Sequence, residues 1–192
     1  MEMRVKTLRN RYVFCAVFAA LIAVSNFFQI PIGPIPIVLK NMFVVLAGTV
    51  LGGFYGGVTL IIVIAAGVVG IPVFVIPGGP GVFLTPLGGY IAGYFIASLC
   101  AGLICGIPKI SEKKVHTLFL LRLSLASFLG FALILVCGTL YMMYLNSMSL
   151  QAAVAAGIVP FLLGDFIKLV LSIPLALKLR PIAARYINPE EI

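Results

Sequence analysis

The stretch NMFVVLAGTVLGGFYGGVTLIIVIAAGVVGIPVFV, residues 41–75, decides the fold class. It runs for 35 residues without one Asp, Glu, Lys, Arg or His. A bilayer-crossing helix takes about 20 apolar residues, so a single crossing cannot use up this run. Gly52, Gly53, Gly56 and Gly57 divide it into two expected spans. Upstream, Pro31, Pro34 and Pro36 remove backbone donors and fix φ, and with Gly33 among them the stretch makes a loop. Before that loop lies another apolar run, residues 12–29, behind a basic start of Arg4, Lys6, Arg9 and Arg11. Downstream, Pro77-Gly78-Gly79-Pro80-Gly81 marks a second loop, and residues 85–106 a fourth span. Residues 108–116 carry Lys109, Glu112, Lys113 and Lys114 and belong in water. A fifth span covers 117–145, a polar turn 146–151, and a sixth span 152–177, before a tail with Lys178, Arg180 and Arg185. The expected fold is an all-α integral membrane protein, a compact bundle of six transmembrane helices forming one domain over residues 1–192.

Composition agrees. Of 192 residues, 62% are hydrophobic and 9% charged, against about 25% charged in an ordinary soluble domain. Such a chain cannot clothe a water-facing surface, which excludes a soluble enzyme and a disordered or fibrous protein. The 13 Lys+Arg against 5 Asp+Glu give +8. No basic stripe is interleaved with aromatics, so the excess does not read as nucleic-acid binding. It sorts by topology: six spans gather every basic cluster on the side of the N-terminus and leave only Lys40 on the other. The positive-inside rule then places both termini and residues 108–116 in the cytoplasm. The first apolar run is too long for a cleavable signal peptide and lacks a small-residue cleavage site.

Cys15, Cys100, Cys105 and Cys137 all sit in apolar runs, with spacing that suits neither a disulfide framework nor zinc, so no metal is expected. The glycine-rich loop has no Gly-Lys-[Ser/Thr] ending, so this chain has no visible means of hydrolysing ATP. With one histidine, His116, no nucleophilic triad can be assembled, and the chain does not read as an enzyme.

Asp165 is the only acid in any expected span, and Lys168 follows three positions later on the same helical face. Ionisable groups at membrane depth are costly and mark ligand sites or pathways; the alternative is an ion pair that joins helices. Lys168 suits a substrate carboxylate, and Asp165 suits ligand N–H groups or the orientation of Lys168. Lys40 and Asn41 sit where the first loop enters the second span, at the expected external mouth. Lys40 contacts either ligand or headgroups there, and Asn41 either bonds a polar ring or caps the helix. Tyr90 either stacks on a ligand or joins an interfacial aromatic belt. Small residues recur four apart, at Gly48 and Gly52, Gly89 and Gly93, Gly102 and Gly106, and at Ala16, Ala20 with Ala19, Ala23. Such pairs serve close packing within the bundle or docking of a membrane partner.

Three segments in series resemble a known family. Gly33-Pro34-Ile35-Pro36-Ile37-Val38-Leu39-Lys40-Asn41 running into Val44-Val45-Leu46-Ala47-Gly48 is the first. Gly70-Ile71-Pro72-Val73-Phe74, Gly78-Gly79 and Pro86-Leu87-Gly88-Gly89-Tyr90 make the second. Gly157-Ile158-Val159-Pro160-Phe161 with Gly164-Asp165-Phe166-Ile167-Lys168 is the third. Together they resemble the BioY-type biotin transporters along nearly the whole chain.

The resemblance implies a substrate-binding S component of an energy-coupling factor (ECF) vitamin transporter in a prokaryotic cytoplasmic membrane. Its implied ligand is biotin. Its implied partners are a transmembrane coupling subunit and a pair of ATPases, which use the ATP; no cofactor of the chain's own is implied. An Ala-x-x-x-Ala pattern for docking the coupling subunit matches Ala16 and Ala20, or Ala19 and Ala23. The expected substrate-binding set is Lys168, Asp165, Asn41, Tyr90 and Lys40. Where the family usually has Thr-Leu-Gln-Thr this chain has Val38-Leu39-Lys40-Asn41, so either Lys40 or Lys168 holds the ligand carboxylate. An S component for another vitamin and a proton-coupled secondary transporter are the alternative readings.

Overall fold

The structure is a computed structural model that describes residues 2–30, 37–74, 79–110 and 116–187. Its helices are α1 (Glu2–Val24), α2 (Lys40–Leu51), α3 (Gly53–Val68), α4 (Leu87–Cys105), α5 (Thr117–Leu145), α6 (Leu150–Gly157) and α7 (Leu162–Ile187). Short 3-10 turns occupy Ser25–Phe27, Pro80–Leu84 and Val159–Phe161. Part of the first loop forms a small antiparallel ribbon, β1 (Gln29–Ile30) with β2 (Ile37–Val38), which the all-helical expectation did not include. The expected loop residues Pro31, Gly33, Pro34, Pro36, Pro77 and Gly78, and Glu112, Lys113 and Lys114, lie outside the described residues.

Among the described residues, four stretches are long and apolar enough to cross a membrane: Thr7–Phe27, Leu87–Cys105, Thr117–Leu145 and Leu150–Ile187. The other two expected spans are apolar but short, 12 residues in α2 and 16 in α3. At 1.5 Å per residue they reach roughly 18 and 24 Å. Their division falls at Gly52, whose φ of +84° lets the chain reverse through one residue. The last span differs from its expected bounds at both ends. It is broken by the turn at Val159–Phe161, with Pro160 inside, and α7 then continues to Ile187. Lys178, Arg180 and Arg185 therefore lie in a helix and not in a tail.

Helix α2 is the centre of the bundle. Every residue of it except Phe43 is buried, and it packs on α1, α3, α4, α5 and α7. A helix apolar around its whole circumference has to be enclosed in this way. Glycines bring its backbone against its neighbours. A Cβ at Gly48 would overlap the Ser98 carbonyl of α4, and one at Gly56 would lie 2.7 Å from the Gly48 Cα. Of the small-residue pairs, Gly48 and Gly102 make these close contacts, whereas Gly52 and Gly106 adopt positive φ at helix ends. Outward faces stay apolar: Leu163 and Phe166 are 74% and 63% exposed. Large exposed apolar surface of this kind fits a lipid environment.

Gly48→Ala should lower stability by about 1–3 kcal/mol through overpacking of α2 on α4. Gly81→Ala should be neutral, because nothing lies within 4 Å of its added Cβ. Thermal unfolding of the two variants in detergent checks this.

Candidate ligand-binding site

Asp165 and Lys168 face the same way from the start of α7, as their spacing requires. The Lys168 ammonium donates to Asp165 Oδ1 at 2.5 Å and to the Val38 carbonyl at 3.0 Å. Both side chains are buried. Asp165 sits in the first helical turn, where the backbone dipole favours an anion. Val38 belongs to β2, so the ribbon delivers the carbonyl that Lys168 binds. An ammonium has three donors; two are engaged among the described residues.

Asn41 of α2 lies beside the Asp165 carboxylate. Two buried acceptors, Asn41 Oδ1 and Asp165 Oδ2, have no hydrogen-bond partner among the described residues. Such oxygens cost free energy unless a donor reaches them. Tyr90 of α4 lies within reach of the Asp165 charge. It is buried and donates to the Gly157 carbonyl at 3.0 Å. Its ring occupies the space that a side chain at Gly138 would take. Tyr90 thus joins α4 to the end of α6 and is no member of a surface belt. The structure brings four of the expected residues together: Lys168, Asp165, Asn41 and Tyr90. Tyr94, one helical turn beyond Tyr90, is also within range of the Asp165 charge and was not expected.

Lys40 differs from its expectation. It does not stand at an exposed mouth or reach toward headgroups, since it is 1% exposed. Its ammonium donates to Asn26 Oδ1 at 2.8 Å and to the Val73 carbonyl at 2.5 Å, over the Phe74 ring. Successive helical positions point about 100° apart, so Lys40 and Asn41 diverge. Asn26 was missed in the sequence; the Ser25-Asn26 pair closing an otherwise apolar run was the available signal.

The BioY family profile matches residues 1–185. The chain belongs to the BioY family. It is 33% identical over 172 residues to the biotin transporter BioY of Thermotoga maritima, covering 89% of this chain and 96% of that protein. It is 34% identical over 166 residues to the probable biotin transporter BioY of Pyrococcus horikoshii, covering 86% and 93%. Among solved structures it is similar to the S-component for biotin from an ECF-type ABC transporter. That match has a TM-score of 0.77, 29% identity and 93% coverage of both chains. These relatives are transporters, in keeping with the lack of catalytic machinery in the sequence.

Three further features of this BioY chain stand out. Beside Asp165, an apolar groove of about 300 Å³ runs between α5 and α7, lined among others by Phe131, Leu135, Leu162 and Leu169. At the far end of α7, Arg180 is fully buried and not a solvated tail charge. Its guanidinium donates to the carbonyls of Thr49, Cys105 and Gly106 and lies over the Phe119 ring. On α1, Ala16 and Ala20 are exposed with Val13 and Val17, whereas Ala19 is buried and Ala23 partly buried. The first alanine pair faces outward, and the second packs inward.

Removing the cation from the Asp165–Lys168 pair strands a buried carboxylate. Lys168→Met should therefore destabilise the folded chain by about 3–5 kcal/mol. The double variant Lys168→Met/Asp165→Asn should recover part of that loss, as read from the unfolding midpoint in detergent.

Proposed function

We propose that this chain binds biotin from outside the cell and carries it across the cytoplasmic membrane as the S component of an ECF transporter. The observation that carries the reading is the grouping at the start of α7. Asp165 and Asn41, whose side chains interact, each keep a buried oxygen that meets no donor among the described residues, Asp165 Oδ2 and Asn41 Oδ1, and Lys168 bonds the same carboxylate. A cyclic urea offers two N–H donors to such acceptors, and a carboxylate accepts from Lys168. The ring and aliphatic chain of biotin suit the apolar surface beside Asp165. The named functions of the relatives, biotin transporters and a biotin S-component, support the same ligand.

In this reading the short α2 and α3 cross together with the four long spans. Both termini then lie in the cytoplasm, where the basic residues concentrate. The exposed Ala16–Ala20 face of α1 receives the transmembrane coupling subunit, since small residues allow close helix approach. A pair of ATPases supplies the hydrolysis for which this chain has no motif.

The test is binding of labelled biotin to the purified chain in detergent, with desthiobiotin, riboflavin and thiamine as competitors. Tight binding displaced only by desthiobiotin supports the proposal. Engagement of riboflavin or thiamine in place of biotin would move the chain to another vitamin. Lys168→Ala should weaken biotin binding about 10- to 100-fold, the worth of a charged hydrogen bond.

A further inference from the structure

We infer that Lys40 is a positioning residue of the ligand site: it fixes the start of α2, and with it Asn41 and the Val38 carbonyl, without touching the ligand. The inference rests on the biotin reading above for its functional consequence, but not for its geometry.

Lys40 is the first residue of α2. Its ammonium bonds Asn26, in the turn that ends α1, and the Val73 carbonyl, in the segment that follows α3. Asn26 in turn donates from Nδ2 to the Phe74 carbonyl at 2.8 Å. Lys40, Asn26, Val73 and Phe74 thus close a ring of contacts joining three parts of the chain. All four are buried, with exposures of 1%, 6%, 4% and 4%. The Phe74 ring reaches this place because Gly67 has no side chain to block it. The loop is tied back a second time, by the Gly79 amide donating to the Gly67 carbonyl at 2.8 Å.

The opposite side of the same helix start is held by Lys168 through the Val38 carbonyl. The α2 start is therefore suspended between two lysines. Lys40 anchors it to the ends of α1 and α3, and Lys168 anchors it to α7. An ion enclosed in apolar surroundings is costly unless its donors are used. Lys40 spends two of its three on this anchorage. What separates the two lysines is their company: the Lys40 ammonium meets Asn26, the Val73 carbonyl and the Phe74 ring, whereas Lys168 meets Asp165. Lys168, beside the unpartnered acceptors, is the cation placed to meet the ligand.

The experiment uses the full chain in detergent, with Lys40→Met, Asn26→Leu and the double variant, and two readouts. The first is amide hydrogen exchange without ligand. In Lys40→Met, residues 37–42 and 71–74 should exchange about tenfold faster or more, with α5 unchanged. Unchanged exchange in those segments would overturn the anchorage. The second readout is affinity for biotin and for biotin methyl ester, which lacks the carboxylate. Lys40→Met and Asn26→Leu should each weaken both ligands by the same factor, about tenfold or more. The double variant should be no worse than either single one, because both break one linkage.

A loss confined to biotin, with the ester unaffected, would make Lys40 a ligand contact and overturn the inference. Faster exchange with both affinities unchanged would reduce Lys40 to a stabilising contact and overturn it equally. Should Lys40→Met fail to fold, Lys40→Gln keeps a shorter donor and carries the same readouts. If the unmodified chain binds no biotin, the biotin reading falls, while hydrogen exchange still decides the anchorage.

Discussion

A helix enclosed on every side by apolar neighbours leaves no water for the backbone groups at its ends. Each carbonyl and amide there needs a partner from the protein itself. Helix α2 imposes that constraint on the whole bundle, because it touches five other helices and buries all but one residue. The chain meets it with three cations. Lys168 binds the Val38 carbonyl just before α2, Arg180 binds the Thr49 carbonyl near its end, and Lys40 leaves its first turn to bind Val73. Each joins α2 or its flanks to a distant part of the sequence, so helix ends and loops are fixed together.

The two ends of the bundle use this chemistry differently. At the Arg180 end, carbonyls from α2 and α4 converge on one guanidinium, with the helix dipoles pointing favourably at it. Those contacts close on themselves. At the Lys168 end, an anion, an amide and a cation are brought together with two acceptors that meet no donor among the described residues. An arrangement saturated with internal bonds holds a structure, whereas one with buried unmet acceptors is suited to a polar ligand. That difference is why the candidate site is assigned to the start of α7 and not to the equally buried Arg180.

Much of this was legible in the sequence where the physical signal is local. The uncharged runs gave the apolar helices, and the α5 bounds of 117–145 coincide with the expected span. The lone acid with a lysine three residues on gave the ion pair at the centre of the candidate site, because helical spacing places them together wherever the helix goes. Long-range partners were not legible. Lys40 read as a headgroup or ligand contact because its acceptors, Asn26 and the Val73 carbonyl, are 14 and 33 residues away. Arg180 read as a solvated tail charge because nothing local announces the carbonyls that satisfy it. Whether Ala16–Ala20 or Ala19–Ala23 faces outward depends on the rotation of α1 against the bundle, which the nearly uniform apolarity of that helix beyond Arg11 does not encode.

The central claim is that the leftover acceptors at the start of α7 receive the ligand. A high-resolution structure of the chain crystallised with biotin tests it most directly. The account predicts the ureido nitrogens within about 2.7–3.2 Å of Asp165 Oδ2 and Asn41 Oδ1, with the carboxylate toward Lys168 and Lys40 still bound to Asn26. Biotin seated away from Asp165, or its carboxylate on Lys40 with the Asn26 bond broken, would contradict it.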